Sequence, residues 1–251
     1  MDLAEIPVLS LETDRDRLAP RIGESFRTFG FTMIRDHGID QDLIDRAWDL
    51  TQQFFDLPVE TKTKYFNSGQ GGARGYTPFR TEVAKGATEK DLKEFWHIGR
   101  DLPEGSPLAA TMPPNVWPEE IDGFRETFTE LYNQFDKTGA EVLSAIAVDL
   151  GLDARWFDPA IEDGNSVMRL LHYPPQPANA APGEKGCGAH TDFGGLTLLL
   201  QDENPGLQVW NHHAQDWVDA PPLPGTYVVN LGDMIARWTN DRYRSTLHRV
   251  V

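Results

Sequence analysis

Only one cysteine, Cys187, occurs in 251 residues, so no disulfide can close within the chain and a reducing compartment fits. Basic residues are also scarce: 23 Lys and Arg stand against 39 Asp and Glu, for a formal net charge of −16. Nucleic acid and anionic membrane surfaces both need a positive footprint, so neither is expected as a partner. No apolar run approaches the roughly 20 residues that span a bilayer. The start, Met1-Asp2-Leu3-Ala4-Glu5-Ile6-Pro7, has neither the basic flank nor the apolar stretch of a secretory signal. The glycines of residues 67–76 match no phosphate-cradling pattern, and there is no internal repeat or low-complexity tract. These absences lead to the expectation of a soluble, cytoplasmic, single-domain protein, and they say nothing about a small-molecule substrate. An acidic surface does not exclude such a substrate, because one buried Arg can bind a carboxylate.

What is present argues for a folded core: 39% of residues are apolar and 10% aromatic. Ile6 to Leu11 reads as an edge strand, and Thr13 as the N-cap of a helix whose stripe is Leu18, Ile22, Phe26 and Phe29, stopped by Gly30. Phe31 to Arg35 is a strand. Asp40 caps a second helix with the stripe Leu43, Ile44, Ala47, Trp48, Thr51, Phe54 and Phe55, and Pro58 opens a short third one. Residues 67–76 read as a mobile loop, and Lys93 to Ile98 as a strand. Ile121, Phe124, Phe128, Leu131, Phe135, Val142, Ile146 and Leu150 recur at helical steps and predict a long core helix. From residue 166 runs of β-formers alternate with Gly, Pro and Asn turns, predicting seven strands up to Val251.

The chemistry concentrates in Gly188-Ala189-His190-Thr191-Asp192-Phe193-Gly194-Gly195. On an extended strand His190 and Asp192 point to the same side, and small neighbours leave room for a metal and its ligand. His248, on a later strand, can supply a second imidazole. Two His and one carboxylate on one face suit non-haem iron(II). Cys187 reads as a small packed residue rather than a ligand, His97 as a candidate pocket residue, and residues 230–233 as a turn.

Gly-Ala-His-Thr-Asp-Phe-Gly-Gly-Leu-Thr-Leu-Leu-Leu-Gln-Asp (188–202), Gly206 to Trp210, Val229 to Asp233, and Ser245 to Val250 together resemble the isopenicillin N synthase-like family of Fe(II)/2-oxoglutarate-dependent oxygenases. Ile6-Pro7-Val8, Arg74-Gly75-Tyr76 and Met168 to Pro175 extend the likeness over almost the whole chain. The resemblance implies an α+β fold with a double-stranded β-helix (jelly-roll) core and a flanking N-terminal and central helical layer. It implies one oxygenase domain over 1–251, with 1–165 as helical support and lid and 166–251 as the jelly-roll core. By resemblance His190, Asp192 and His248 are the iron ligands, and Tyr173 falls where relatives contact the co-substrate. Fe(II), 2-oxoglutarate and O2 would be the cofactors. The activity would be hydroxylation or desaturation of a small molecule with release of succinate and CO2.

The family's Arg-x-Ser motif, which forks onto the distal carboxylate of 2-oxoglutarate, has no counterpart, since the sequence ends at Val251. Neither has an eighth barrel strand, so the expectation is a part of a longer protein. Arg169, Arg237 and Arg249 are not expected to substitute. Two alternatives are an isopenicillin N synthase-type oxidase that works without 2-oxoglutarate, and a non-catalytic jelly roll that binds a small molecule.

Overall fold

A computed structural model describes residues 5–66, 73–83, 89–175 and 185–251. In chain order the elements are β1 (Val8–Ser10), α1 (Arg15–Thr28), β2 (Phe31–Arg35), α2 (Gln41–Phe55), α3 (Val59–Thr63), β3 (Gly75–Thr77) and β4 (Glu94–Gly99). They continue with α4 (Phe124–Asp149), α5 (Asp158–Ile161), β5 (Val167–His172), β6 (Cys187–His190), β7 (Leu196–Leu199) and β8 (Leu207–Asn211). The last are β9 (Asp216–Asp219), β10 (Thr226–Leu231), α6 (Asp233–Trp238) and β11 (His248–Val250). All seven strands expected after residue 166 form. No helix of the described residues is long and apolar enough to cross a membrane.

The chain divides into two compact units, one of residues 1–38, 138–159 and 187–251, the other of residues 39–137 and 160–186. The first holds two four-stranded sheets, ordered β1-β2-β10-β7 and β6-β11-β8-β9. From β6 onward the chain passes repeatedly from one sheet to the other, as a jelly roll requires. Inward residues of both sheets make one core: Phe31, Met33 and Val228 from the first cluster with Leu207 and Val209 from the second, together with Ile6, Phe29 and Ala220. Fully burying side chains of this size stabilises by about 1.5–3 kcal/mol each. The sheets therefore draw strands from both sides of residue 166, since β1 and β2 extend the sheet of β10 and β7.

Helix α1 packs its expected stripe: Leu18, Ile22 and Phe26 are buried, and Phe29 just beyond its end is too. Its N-cap is Asp14, which accepts from the Asp16 backbone N–H, rather than Thr13. A carboxylate reaches that donor and suits the positive helix end better than the hydroxyl one residue earlier. Gly30 adopts φ +71°, and a Cβ there would lie 2.5 Å from Arg244 O, so the turn into β2 needs glycine twice over.

In the second unit β3, β4 and β5 form an antiparallel sheet. Phe54 of α2 meets Tyr76, Trp96 and Phe124 at ring-centroid distances of 4.7–6.0 Å. Asp40 caps α2 as expected, but Trp48 sits at the edge of its stripe, 36% exposed. Of the loop expected over 67–76, residues 67–72 lie outside the described residues, and Gly75–Thr77 is strand β3. A charged cluster is buried in this unit. Lys62 Nζ donates to both Glu94 carboxylate oxygens at 2.9 Å, and Tyr76 and the His172 ring bond the same carboxylate.

Candidate metal centre

The two histidines converge because β6 and β11 pair antiparallel with His190 opposite His248. Directly opposed residues present their side chains on the same face, and the two rings lie 4.2 Å apart between centroids. β6 ends at His190, so Asp192 sits beyond the strand but still turns toward the same point. Asp192 Oδ1 is 3.6 Å from both His190 Nε2 and His248 Nε2. One donor atom from each of the three residues lies within 4.8 Å of the other two, and among the described residues no other such group of His, Cys, Asp and Glu occurs.

Each donor is aimed by a partner on its far side. His190 Nδ1–H donates to Gly188 O at 2.8 Å, and His248 Nδ1–H to Thr246 O at 3.2 Å. A carbonyl only accepts, so Nδ1 carries the proton in both rings and Nε2 is turned to the shared point. Asp192 Oδ2 accepts from Thr197 Oγ1 at 2.5 Å and from Asn230 Nδ2 at 2.7 Å, which leaves Oδ1 toward the imidazoles. Thr197 and Asn230 are themselves cross-strand neighbours on β7 and β10. The edge of Phe31 packs on His248 at 5.3 Å. Two imidazole nitrogens and a carboxylate oxygen, oriented in this way, are the donor set of a facial iron(II) site.

The segment from Asp192 to Gly195 is clasped by the start of α6. Gly232 N–H donates to Gly195 O, Asp233 N–H to Asp192 O and Met234 N–H to Gly194 O, at 3.0, 2.8 and 3.2 Å. A Cβ on Gly232 would overlap Gly194 O and lie 2.8 Å from Asp192 O. The turn expected over 230–233 forms, and it also supplies the Asn230 donor.

Without a metal the three groups share charge among themselves. The Asp192 carboxylate 3.6 Å away pushes His190 up to about 10, with Cys187 adding to it and burial opposing. Burial raises the Asp192 carboxyl, but His190, then His248, Asn230 and Thr197, outweigh it and hold it below the usual carboxylate range. Burial, with His190 beside it, pushes His248 below its ordinary value.

The other expected residues are divided between the two units. Cys187 is buried, with Sγ 3.7 Å from His190 Nδ1, behind the ring rather than at its Nε2 edge. Arg249 points to the opposite sheet face, stacked 4.0 Å over Trp217 and bonded to Gln208. In the second unit His97 is buried and its Nε2 accepts from Arg169 Nε at 2.7 Å. Tyr173 follows β5 in that unit and is 37% exposed. Arg237 is on the exposed side of α6.

Comparison with known proteins places the chain in a family. Residues 5–120 match the family described as non-haem dioxygenase in morphine synthesis N-terminal, and residues 164–251 match the 2OG-Fe(II) oxygenase superfamily. A 2-oxoglutarate-Fe(II) type oxidoreductase of Emericella nidulans, hxnY, is 39% identical over 94% of this chain and 70% of its own. A crystal structure of a Caulobacter crescentus protein assigned to the 2OG-Fe(II) oxygenase family superposes with TM-score 0.89 at 48% identity, over 99% of this chain and 81% of that one. A full-length Neurospora crassa protein, solved in complex with alpha-KG and thymine, gives TM-score 0.86 at 36% identity, over 100% of this chain and 80% of its own.

Proposed function

The chain belongs to the 2OG-Fe(II) oxygenase superfamily, and from that premise we propose that His190, Asp192 and His248 hold its iron and that the site oxidises a small organic substrate at a C–H bond. As a non-haem Fe(II)/2-oxoglutarate-dependent dioxygenase it uses Fe(II), 2-oxoglutarate and O2. The observation that carries the assignment of the ligands is the set of outer partners. Each donor atom is turned to one point by a hydrogen bond behind it, which a chance cluster has no need of.

Iron(II) held by His190, Asp192 and His248 would, with 2-oxoglutarate and O2, supply the oxidation, with succinate and CO2 as the co-products. The protein's share is to hold and orient. His190 would have to release its Nε2 proton for a cation to bind there, whereas burial favours the neutral form of His248. Thr197 and Asn230 keep Asp192 ionised with one oxygen free. Phe31 and the apolar core behind it exclude water from the inner side of His248.

The Neurospora relative's complex with thymine makes a methylated heterocycle the first substrate to try. The test is succinate formation from 2-oxoglutarate under air with Fe(II), across a panel headed by thymine and including other small carboxylic and heterocyclic metabolites. Substrate-stimulated succinate that disappears in Asp192→Ala supports the reading. Equal succinate from wild type and Asp192→Ala would remove the triad from the reaction. An isopenicillin N synthase-type oxidase would instead oxidise its substrate with no succinate formed.

A further inference from the structure

We propose that Asp149, at the far end of α4, is a positioning residue for the metal centre: it holds the segment that delivers His248. The inference rests on His248 being an iron ligand. β11 has only three residues; it pairs in regular register with β8, but its pairing with β6, which carries His190, shifts register between His248 and Val250. The chain leading to it has no helix or strand between Trp238 and His248, and Asn240 and Asp241 both take positive φ, 52° and 60°. Besides its own turn bonds and the bond from Trp210 N–H to Leu247 O, the segment is held by contacts from α1 and the end of α4.

Asp149 is the hub of these contacts. Tyr243, fully buried, donates its hydroxyl to Asp149 Oδ2 at 2.6 Å, and Arg242 Nη2 donates to the Asp149 carbonyl at 3.1 Å. Arg27 of α1 pairs with the same carboxylate oxygen at 2.5 Å. Arg244 then lies along α1, its Nε donating to Arg27 O at 2.7 Å and its backbone N–H to Phe26 O at 3.2 Å. Two residues on, the carbonyl of Thr246 accepts from His248 Nδ1. The carboxylate is thus linked through Tyr243 and the following backbone to the ring that faces Asp192.

Local stability would choose neither residue at this spot. The C-terminal end of a helix disfavours a carboxylate, yet Asp149 is the last residue of the 26-residue α4, with its side chain only 7% exposed. Glycine weakens a helix interior, yet Gly23 sits within α1, and a Cβ there would fall inside the Asp149 carboxylate. Both departures serve one contact, and that contact holds the approach to His248.

The experiment is an anaerobic Co(II) titration of the whole chain, read by the d–d absorption of the bound ion, alongside thermal melts. Tyr243→Phe is the mild variant, Asp149→Asn the second. Leu18→Ala, which opens a cavity in α1 away from this contact, is the control for general destabilisation. Tyr243→Phe is expected to weaken Co(II) binding about tenfold and change the band shape. Asp149→Asn keeps an acceptor for Tyr243 but loses the charge, and should fall between it and wild type. Leu18→Ala should bind Co(II) like wild type despite a lower melting temperature. Wild-type affinity in Tyr243→Phe and Asp149→Asn, or an equal loss in Leu18→Ala, would overturn the proposal while leaving the ligand assignment standing. Unchanged binding in His248→Ala would overturn both.

Discussion

Asn230→Ala isolates the contribution of one orienting hydrogen bond to the metal centre. Asn230 is 3% exposed, and its Nδ2 reaches Asp192 Oδ2 at 2.7 Å. A hydrogen bond to a charged group contributes about 1.5–3 kcal/mol, and each ~1.4 kcal/mol is tenfold in affinity. Asp192 is 22% exposed at its side chain, so water can enter the space left behind and replace part of the loss. The lower end therefore applies, and Fe(II) or Co(II) should bind about tenfold more weakly. Thr197 Oγ1 donates to the same oxygen at 2.5 Å, so Thr197→Val should behave alike. The double variant should lose more than the sum, because either donor alone still aims the carboxylate. Anaerobic isothermal calorimetry measures this directly, with circular dichroism to confirm the fold. Affinities within twofold of wild type in both single variants and in the double would refute the claim that Asp192 is aimed from behind.

Three further outcomes follow from the same contacts. His190, raised to about 10 by the neighbouring Asp192 carboxylate, contributes stability that is full below its ordinary 6.5 and is lost as pH climbs toward 10. In EDTA the melting temperature should accordingly fall between pH 7 and 10, more steeply in wild type than in Asp192→Asn; a flat or rising profile would contradict it. Gly232→Ala would force a methyl into the carbonyls of Asp192 and Gly194, at a cost of about 1–3 kcal/mol. It should lose metal affinity as well as stability, and calorimetry showing wild-type binding would rule out the clasp. Lys62→Met strands Glu94 in the second unit, where the two side chains are 5% and 7% exposed. Breaking a buried pair costs about 3–5 kcal/mol, and Tyr76 and His172 still bond Glu94, which favours the lower figure. At roughly 2–4 °C per kcal/mol the melt should fall about 6–12 °C, and a shift under about 2 °C would show the pair to be dispensable.

The candidate ligands were legible in the sequence through the His190-x-Asp192 alternation together with the family resemblance that adds His248. His190 and Asp192 alternate, and His248 lies on a strand that must return. Their support was not, since it depends on register. Thr197 interrupts Leu-Thr-Leu-Leu-Leu and Asn230 ends Tyr-Val-Val-Asn, each a single polar residue in a strand otherwise bound for the core. That oddity was the available signal, but only the pairing of Asn230 with Thr197 turns both onto Asp192. The helices were read from their stripes, and α1, β2 and β10 lie within a residue or two of expectation. Which strands share a sheet was not readable: β5 pairs with β4 rather than within the two sheets of the first unit. Pairing between strands far apart in sequence leaves no local pattern. The same holds for Asp149, which in the sequence is one more acidic residue near a helix end.

The central claim is that His190, Asp192 and His248 bind iron and leave room for the keto acid. Anaerobic Fe(II) titration followed by 2-oxoglutarate tests it most directly. The account predicts one Fe(II) per chain and a visible charge-transfer band on adding 2-oxoglutarate, both absent in His190→Ala and Asp192→Ala. Iron binding and a band that survive unchanged in those two variants would contradict it.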